Sequence, residues 1–145
     1  MRYLLTTIGL FLAGFAATAV LAAAADEVTY ISSEKVSAAM TKPGVLTKGS
    51  NYTVSMSRRV KGGSSEVHAA DTDTFYIIEG SATFVTGGTV EGEKTTGPGE
   101  IRGTGISGGH SRTLSKGDVI VIPKGTPHWF KEVPKLVIYY VVKAR

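Results

Sequence analysis

Two short stretches hold residue types that can do chemistry together. The first is EVHAADTD, residues 66–73, where Glu66, Asp71 and Asp73 crowd around His68; the second is GTPHWF, residues 125–130, built on His128. The chain has only three histidines, so two of them standing in such settings calls for a physical reason. Side chains alternate between the two faces of a strand, which puts Glu66 and His68 on one face. A turn over 69–72 and re-entry into a strand at Asp73 would put Asp73, Phe75 and Ile77 in one inward row. A carboxylate leading an apolar row is costly to bury unless it is paired or bound to a cation. Glu66, His68 and Asp73 can thus converge on one point. His128 follows Pro123-Lys124-Gly125-Thr126-Pro127, and a turn held by two prolines fixes the backbone from which the imidazole projects, as a metal ligand requires.

The elements that must position these residues are almost all strands. Ser32–Met40 is the one good helix candidate, capped by Ser32 or Ser33 and stopped by Pro43-Gly44. Tyr52–Val60 alternates and is closed by Gly62-Gly63. Thr74–Val85 is rich in β-branched and aromatic residues, with a tight turn or bend expected at Glu79-Gly80. Val119–Ile122 is a short apolar strand, and Leu136–Val142 has the composition of a strand buried on both faces. Many short strands punctuated by glycine and proline predict an all-β sandwich or barrel. The segment from Thr86 to Lys116 holds nine of the eighteen glycines. A structureless loop of that length is unusual in a compact domain, so a strand or hairpin is expected near Glu100–Arg102 or Ser111–Leu114. Gly103–Gly108 (GTGISG) fits the GxGxxG pattern, but no strand–turn–helix context surrounds it, and its glycines read as loop geometry rather than a nucleotide site.

Composition narrows the functional classes. The chain of 145 residues is 42% hydrophobic and 19% charged, which suits one globular domain. Arg2, the uncharged apolar run Leu4–Leu21 and the small residues Ala22–Ala25 resemble a bacterial-type secretory signal peptide; the competing reading is an uncleaved anchor, since about 18 apolar residues just span a bilayer. The expected organisation is a signal peptide over 1–25 and a single domain over 26–145, secreted or periplasmic and free of the membrane after cleavage. Setting the first 25 residues aside removes one positive charge, so the formal net charge falls from +4 to 15 − 12 = +3. Those charges are scattered, with no basic run, and nucleic acid is not expected as a partner. There is no cysteine, which excludes disulfides and zinc–thiolate chemistry.

The two stretches resemble the two motifs of the cupin superfamily. The second cupin motif runs Gly, five residues, Pro-x-Gly, two residues, His, and Gly117, Pro123, Gly125 and His128 match it without a gap. The first is met by Gly62 or Gly63, His68, the acid Asp73 and Gly80. Two departures stand out: Glu66 occupies the place of the first histidine of His-x-His, and Asp73 replaces a glutamate. The similarity spans about residues 52–142 and implies a small jelly-roll β-barrel of two antiparallel sheets with a metal or ligand pocket inside; the expected fold is thus all-β, with the one short N-terminal helix before the barrel. It further implies Glu66, His68, Asp73 and His128 as metal ligands. Two imidazoles and two carboxylates suit Mn(II), Fe(II), Zn(II) or Ni(II). The metal-free alternative leaves Glu66 and Asp73 solvated or paired, with Arg58 or Arg59 as partners.

Function is bounded less tightly. One hypothesis is a metal-dependent oxygenase, isomerase or lyase acting on a small molecule, with Glu66 as fourth ligand or general base. Another is a binding module whose pocket holds a metal or small ligand without chemistry; a third is a structural or storage barrel. Arg59, on the strand before the first motif, can reach an anionic substrate, and Phe75 and Phe84 are expected to line the pocket. His110 is expected to be an exposed loop residue, and Arg102 and Lys116 read as solvated. Pairing into a homodimer is expected through the Leu136–Val142 run or the segment near Tyr30.

Overall fold

The computed structural model describes residues 27–145; the expected signal peptide over 1–25 lies outside the described residues. Among those described, no helix is long and apolar enough to cross a membrane. The one helix among the described residues, α1, covers Ser33–Thr41. Its first turn is capped by the Ser32 side chain, which accepts from the Lys35 N–H, and Lys42 N–H closes the last turn on the Ala38 carbonyl. Pro43 then prevents a further turn. Ala39 of α1 packs on Met56 and Ile138, so the helix covers part of the outside of a sheet.

Twelve strands follow. In chain order they are β1 (Gly44–Lys48), β2 (Tyr52–Arg59), β3 (Ser65–His68), β4 (Thr72–Thr86), β5 (Thr89–Glu91) and β6 (Lys94–Gly97), then β7 (Glu100–Gly103), β8 (Gly105–Ser107), β9 (His110–Ser115), β10 (Val119–Ile122), β11 (His128–Glu132) and β12 (Val137–Ala144). All the pairings are antiparallel. One sheet runs β1-β2-β12-β4, with β10 on the far side of β4; the other places β9 and β11 beside β4 and continues β11-β3-β7-β6. The two share β4, whose first half pairs with β12 and β10 and whose second half pairs with β9 and β11. The result is a cupin-like jelly-roll barrel whose apolar filling includes Phe75, Ile77, Phe84, Phe130, Val137 and Tyr139.

Gly80 lets one strand serve both sheets. The expected bend is there, yet the strand does not break: Gly80 takes φ +78°, and a Cβ on it would collide with the Leu136 carbonyl oxygen. Only glycine tolerates both conditions at low cost. A bulge in β4 itself, where Ile78 is left without a partner between Glu79↔Ile138 and Ile77↔Tyr139, accommodates the change of direction.

The glycine-rich segment is more ordered than one hairpin. Strands form at both expected places, β7 and β9; β6 pairs with β7, and β5 and β8 pair with each other as a separate two-stranded sheet. Several of its glycines sit at turns with positive φ, among them Gly87, Gly92, Gly99 and Gly108. GTGISG falls on the end of β7 and on β8 with no helix after it. His110 is exposed as expected but opens β9 rather than lying in a loop. Leu136–Val142 contributes most of β12, which has β2 on one side and β4 on the other. It therefore offers no free edge for pairing with a second copy, because both rows of its backbone groups are already used.

Candidate metal centre and its cavity

The centre is assembled from directly opposed cross-strand pairs. β3 lies between β11 and β7, and the register sets Glu66 opposite His128 on one side and opposite Arg102 on the other. The same register sets His68 opposite Glu100. Across the barrel, Asp73 of β4 stands opposite Lys143 of β12. Opposed residues on adjacent strands present their side chains to the same face, so the pairing alone gathers these seven side chains into two neighbouring groups.

His68, Asp73 and His128 are buried, and Asp73, Phe75 and Ile77 form the inward row expected of them. Each imidazole is fixed through Nδ1. His128 Nδ1–H donates to the Thr126 carbonyl at 3.0 Å, and a carbonyl only accepts, so this nitrogen carries the proton. His68 Nδ1–H donates to Glu100 Oε2 at 2.7 Å. The turn before His128 is itself tied to β3, because Gly125 N–H donates to the His68 carbonyl at 2.7 Å. Both Nε2 atoms are buried without a hydrogen-bond partner. They face Glu66 Oε2 at 3.4 Å (His68) and 3.9 Å (His128), and Asp73 Oδ2 at 3.6 Å and 3.9 Å.

The two carboxylates are held differently. Glu66 turns Oε1 to Arg102, in close contact, and to Arg59 Nη2 at 3.6 Å, leaving Oε2 toward the histidines. Asp73 gives both oxygens to Lys143 Nζ, each at 2.7 Å. Burial pushes the Glu66 carboxyl up, but the close approach of His68 and the Arg102 charge outweigh it and hold the group down at about 2. His68 is raised above its ordinary value, chiefly by the facing Glu66 carboxylate, whereas burial lowers His128.

These donors fit a metal ion. The ligand atoms of Glu66, His68 and His128 all lie within 4.8 Å of one another. Donors about 2.1 Å from a tetrahedral ion stand about 3.4 Å apart, close to the 3.4–3.9 Å spacings between the histidine nitrogens and the carboxylate oxygens. A metal-binding imidazole commonly donates its other N–H to a carboxylate or carbonyl, which fixes the tautomer and ring plane; Glu100 and the Thr126 carbonyl stand in those places.

A cavity of about 130 Å³ opens beside the donors. Ser55, Ser57 and Arg59, successive same-face positions of β2, line one wall, and Lys143 lines another. Arg59 is braced: its Nε–H donates to the Tyr139 hydroxyl at 2.8 Å, and its guanidinium lies 4.9 Å from the centre of the Phe130 ring. Phe75 and Val141 supply apolar surface.

The family model described as "Cupin" matches residues 34–144. The chain belongs to the cupin family. No curated protein sequence matches it. Among solved structures, a Bacillus halodurans protein superposes with a TM-score of 0.53 at 16% identity, covering 70% of this cupin and 68% of that chain. A Thermus thermophilus protein gives 0.51 at 14% identity, covering 70% and 80%. The cupin domain of Schizosaccharomyces pombe Cnp3 gives 0.51 at 14%, covering 70% of this cupin and 59% of that chain, so this cupin spans less than two thirds of its length. At such identities the likeness is one of fold.

All four residues singled out in the two motifs of this cupin meet at the centre, and Arg59 and Phe75 reach the cavity. Phe84 does not. It is fully buried behind the site, with its ring centre 6.1 Å from that of His128 and 4.7 Å from that of Phe130. It lies past the Gly80 bend, in the half of β4 that belongs to the other sheet, and it packs behind the imidazole instead of lining the cavity. Arg58 pairs with neither acid, and Arg102 is no solvated bystander but the main partner of Glu66. Glu100 and Lys143 were not anticipated. Alternation did carry a signal for Lys143: Tyr139 and Val141 are buried on the inward row of β12, and 143 is the next position on it.

Proposed function

We propose that this cupin holds a divalent metal ion on His68, His128 and Glu66, and that it binds and acts on a small molecule in the adjoining cavity. The observation that carries this is the pair of buried, unpartnered Nε2 atoms aimed at the same carboxylate oxygens. Leaving a buried polar atom unsatisfied costs about 1–3 kcal/mol, and a cation is the partner that satisfies both nitrogens at once. Two imidazoles and a carboxylate suit Mn(II), Fe(II), Zn(II) or Ni(II). Such an ion would supply Lewis-acid polarisation of a ligand oxygen. Asp73, paired with Lys143, stands beside the donors as a weaker fourth ligand. Three protein ligands leave room for a substrate or water, which a catalytic site requires.

Of the two roles expected for Glu66 from sequence, ligand or general base, the ligand role suits it better. A carboxyl held at about 2 is a weak proton acceptor near neutral pH. With both carboxylates neutralised by cations, the competing reading is a module that binds a ligand without turning it over. The deciding experiment is elemental analysis of protein purified from its native compartment, then thermal titration with Mn(II), Fe(II), Ni(II) and Zn(II), then turnover assays of the loaded protein. An unmoved melting temperature with all four ions would refute the metal centre. Tight loading without turnover on any small-molecule panel would favour the binding module.

We further infer that residues 1–25 are removed on export to the periplasm or medium, from the Arg2 start, the uncharged Leu4–Leu21 run and the alanines before Asp26. Intact mass of the exported protein checks this: a mass that retains Met1–Leu21 would refute it.

A further inference from the structure

We propose that the ligand of this cavity is a small organic carboxylate, with its negative charge received between Arg59 and Lys143. The inference rests on the metal centre proposed above and adds the chemical class of what binds there.

Charge carries the first step. The cavity wall presents two cations, Arg59 and Lys143, and two carboxylates, Glu66 and Asp73. The next shell adds one more of each, Arg102 beside Glu66 and Glu100 beside His68. With both imidazoles neutral, the count without an ion is therefore three positive against three negative, a balanced set. A divalent ion on neutral imidazoles leaves two positive charges uncompensated. Asp73 and both histidines are buried, and an unpaired charge in such surroundings is expensive. A ligand with one or two negative charges restores the balance.

Geometry carries the second step. Arg59 is pinned by Tyr139 and Phe130, while its closest carboxylate, Glu66 at 3.6 Å, is already taken by Arg102. Its planar fork thus keeps donors for a carboxylate, which matches it in a bidentate way. Lys143 carries three N–H donors, and Asp73 takes the ammonium through its two oxygens, so a further donor remains for a ligand. Ser55 and Ser57 add hydroxyls to the same wall.

Size and polarity carry the third. A cavity of about 130 Å³ is well below the roughly 300–1,000 Å³ of pockets for drug-sized ligands, so the ligand has only a few carbons. Phe75 and Val141 on the wall suit a carbon skeleton better than an inorganic oxyanion, whose every side needs a polar partner.

The test uses the full mature protein loaded with whichever of Mn(II), Fe(II), Ni(II) or Zn(II) it takes up. Acetate, malonate and succinate are compared with malonamide, succinamide and inorganic phosphate by calorimetry and thermal shift, with metal content measured afterwards. Carboxylates should bind at least about tenfold more tightly than the matched amides and than phosphate. Arg59→Met and Lys143→Met should each erase most of that preference, and the metal content of each variant separates loss of the ligand from a change in the ion. Amides or phosphate binding as tightly as the carboxylates would overturn the inference, and so would unchanged preference in the Arg59→Met, Lys143→Met double variant. If no ion is taken up, the charge count falls together with the metal centre; if an ion is taken up without carboxylate preference, only the ligand class falls.

Discussion

The β3–β7–β11 corner and the β4–β12 corner each bring one carboxylate to the same two histidines, yet they treat it in opposite ways. In the first, Arg102 grips Glu66 from outside through Oε1 and leaves Oε2 free to face the imidazoles. In the second, Lys143 spans both oxygens of Asp73. The acids are alike in chemistry and nearly alike in distance from the histidine nitrogens, 3.4 Å and 3.6 Å from His68 Nε2. Their counter-cations make the difference. A cation on one oxygen orients a carboxylate as a ligand, whereas a cation on both competes with any ion for it.

The sharpest way to strain that comparison is to remove what the corners share. His68→Gln or His128→Gln should lower metal affinity by more than about 100-fold, since even the partners behind a ligand are worth 10–100-fold. Competition with a fluorescent chelator measures it.

The corners themselves separate next. Glu66→Gln should cost about 100-fold in metal affinity, and Asp73→Asn less than about tenfold. Both variants also break an ion pair: Glu66→Gln strands Arg102, and Asp73→Asn strands Lys143, where breaking a partly buried pair costs about 1–3 kcal/mol after allowance for the exposure of the lysine. Chelator competition tests the ranking of affinities, and urea unfolding tests the loss of stability. Equal losses of affinity would erase the distinction between the corners.

A smaller effect is expected behind His68. Glu100→Gln keeps the shape but weakens the acceptor of Nδ1–H, and should cost about tenfold in affinity without changing the ligand set.

Acidity probes the first corner alone. Glu66 is held at about 2 against an ordinary 4.5, so its contribution to stability is present above 4.5 and is lost as pH falls through about 2. His68 is raised above its ordinary 6.5; its pairing with Glu66 is complete below 6.5 and is lost as pH rises through the folded value. A metal must displace that proton, so affinity should climb with pH up to that folded value and level off above it. Melting curves of metal-free protein and chelator competition across pH follow the two trends. The smallest effect belongs to His110→Ala, which should leave metal affinity and melting temperature unchanged because the residue is exposed on β9, outside the donor group.

Much of this was legible in the chain itself, because it depends on near neighbours. Period-two alternation paired Glu66 with His68 and aligned Asp73 with Phe75 and Ile77; Ser32 and Pro43 bounded the helix; the turn from Pro123 to Pro127 announced a fixed His128. What the sequence could not settle is which side chains meet across strands. His68 and Glu100 are 32 residues apart, and Asp73 and Lys143 are 70 apart, and a one-residue slip in register would send each partner to the opposite face. Register is decided by how the buried rows of both sheets fit around the Gly80 bend. That same bend drew Phe84 behind His128 and out of the cavity. The residue types able to bind a metal were therefore set locally, while the cations that divide one carboxylate from the other were placed by the packing of the barrel.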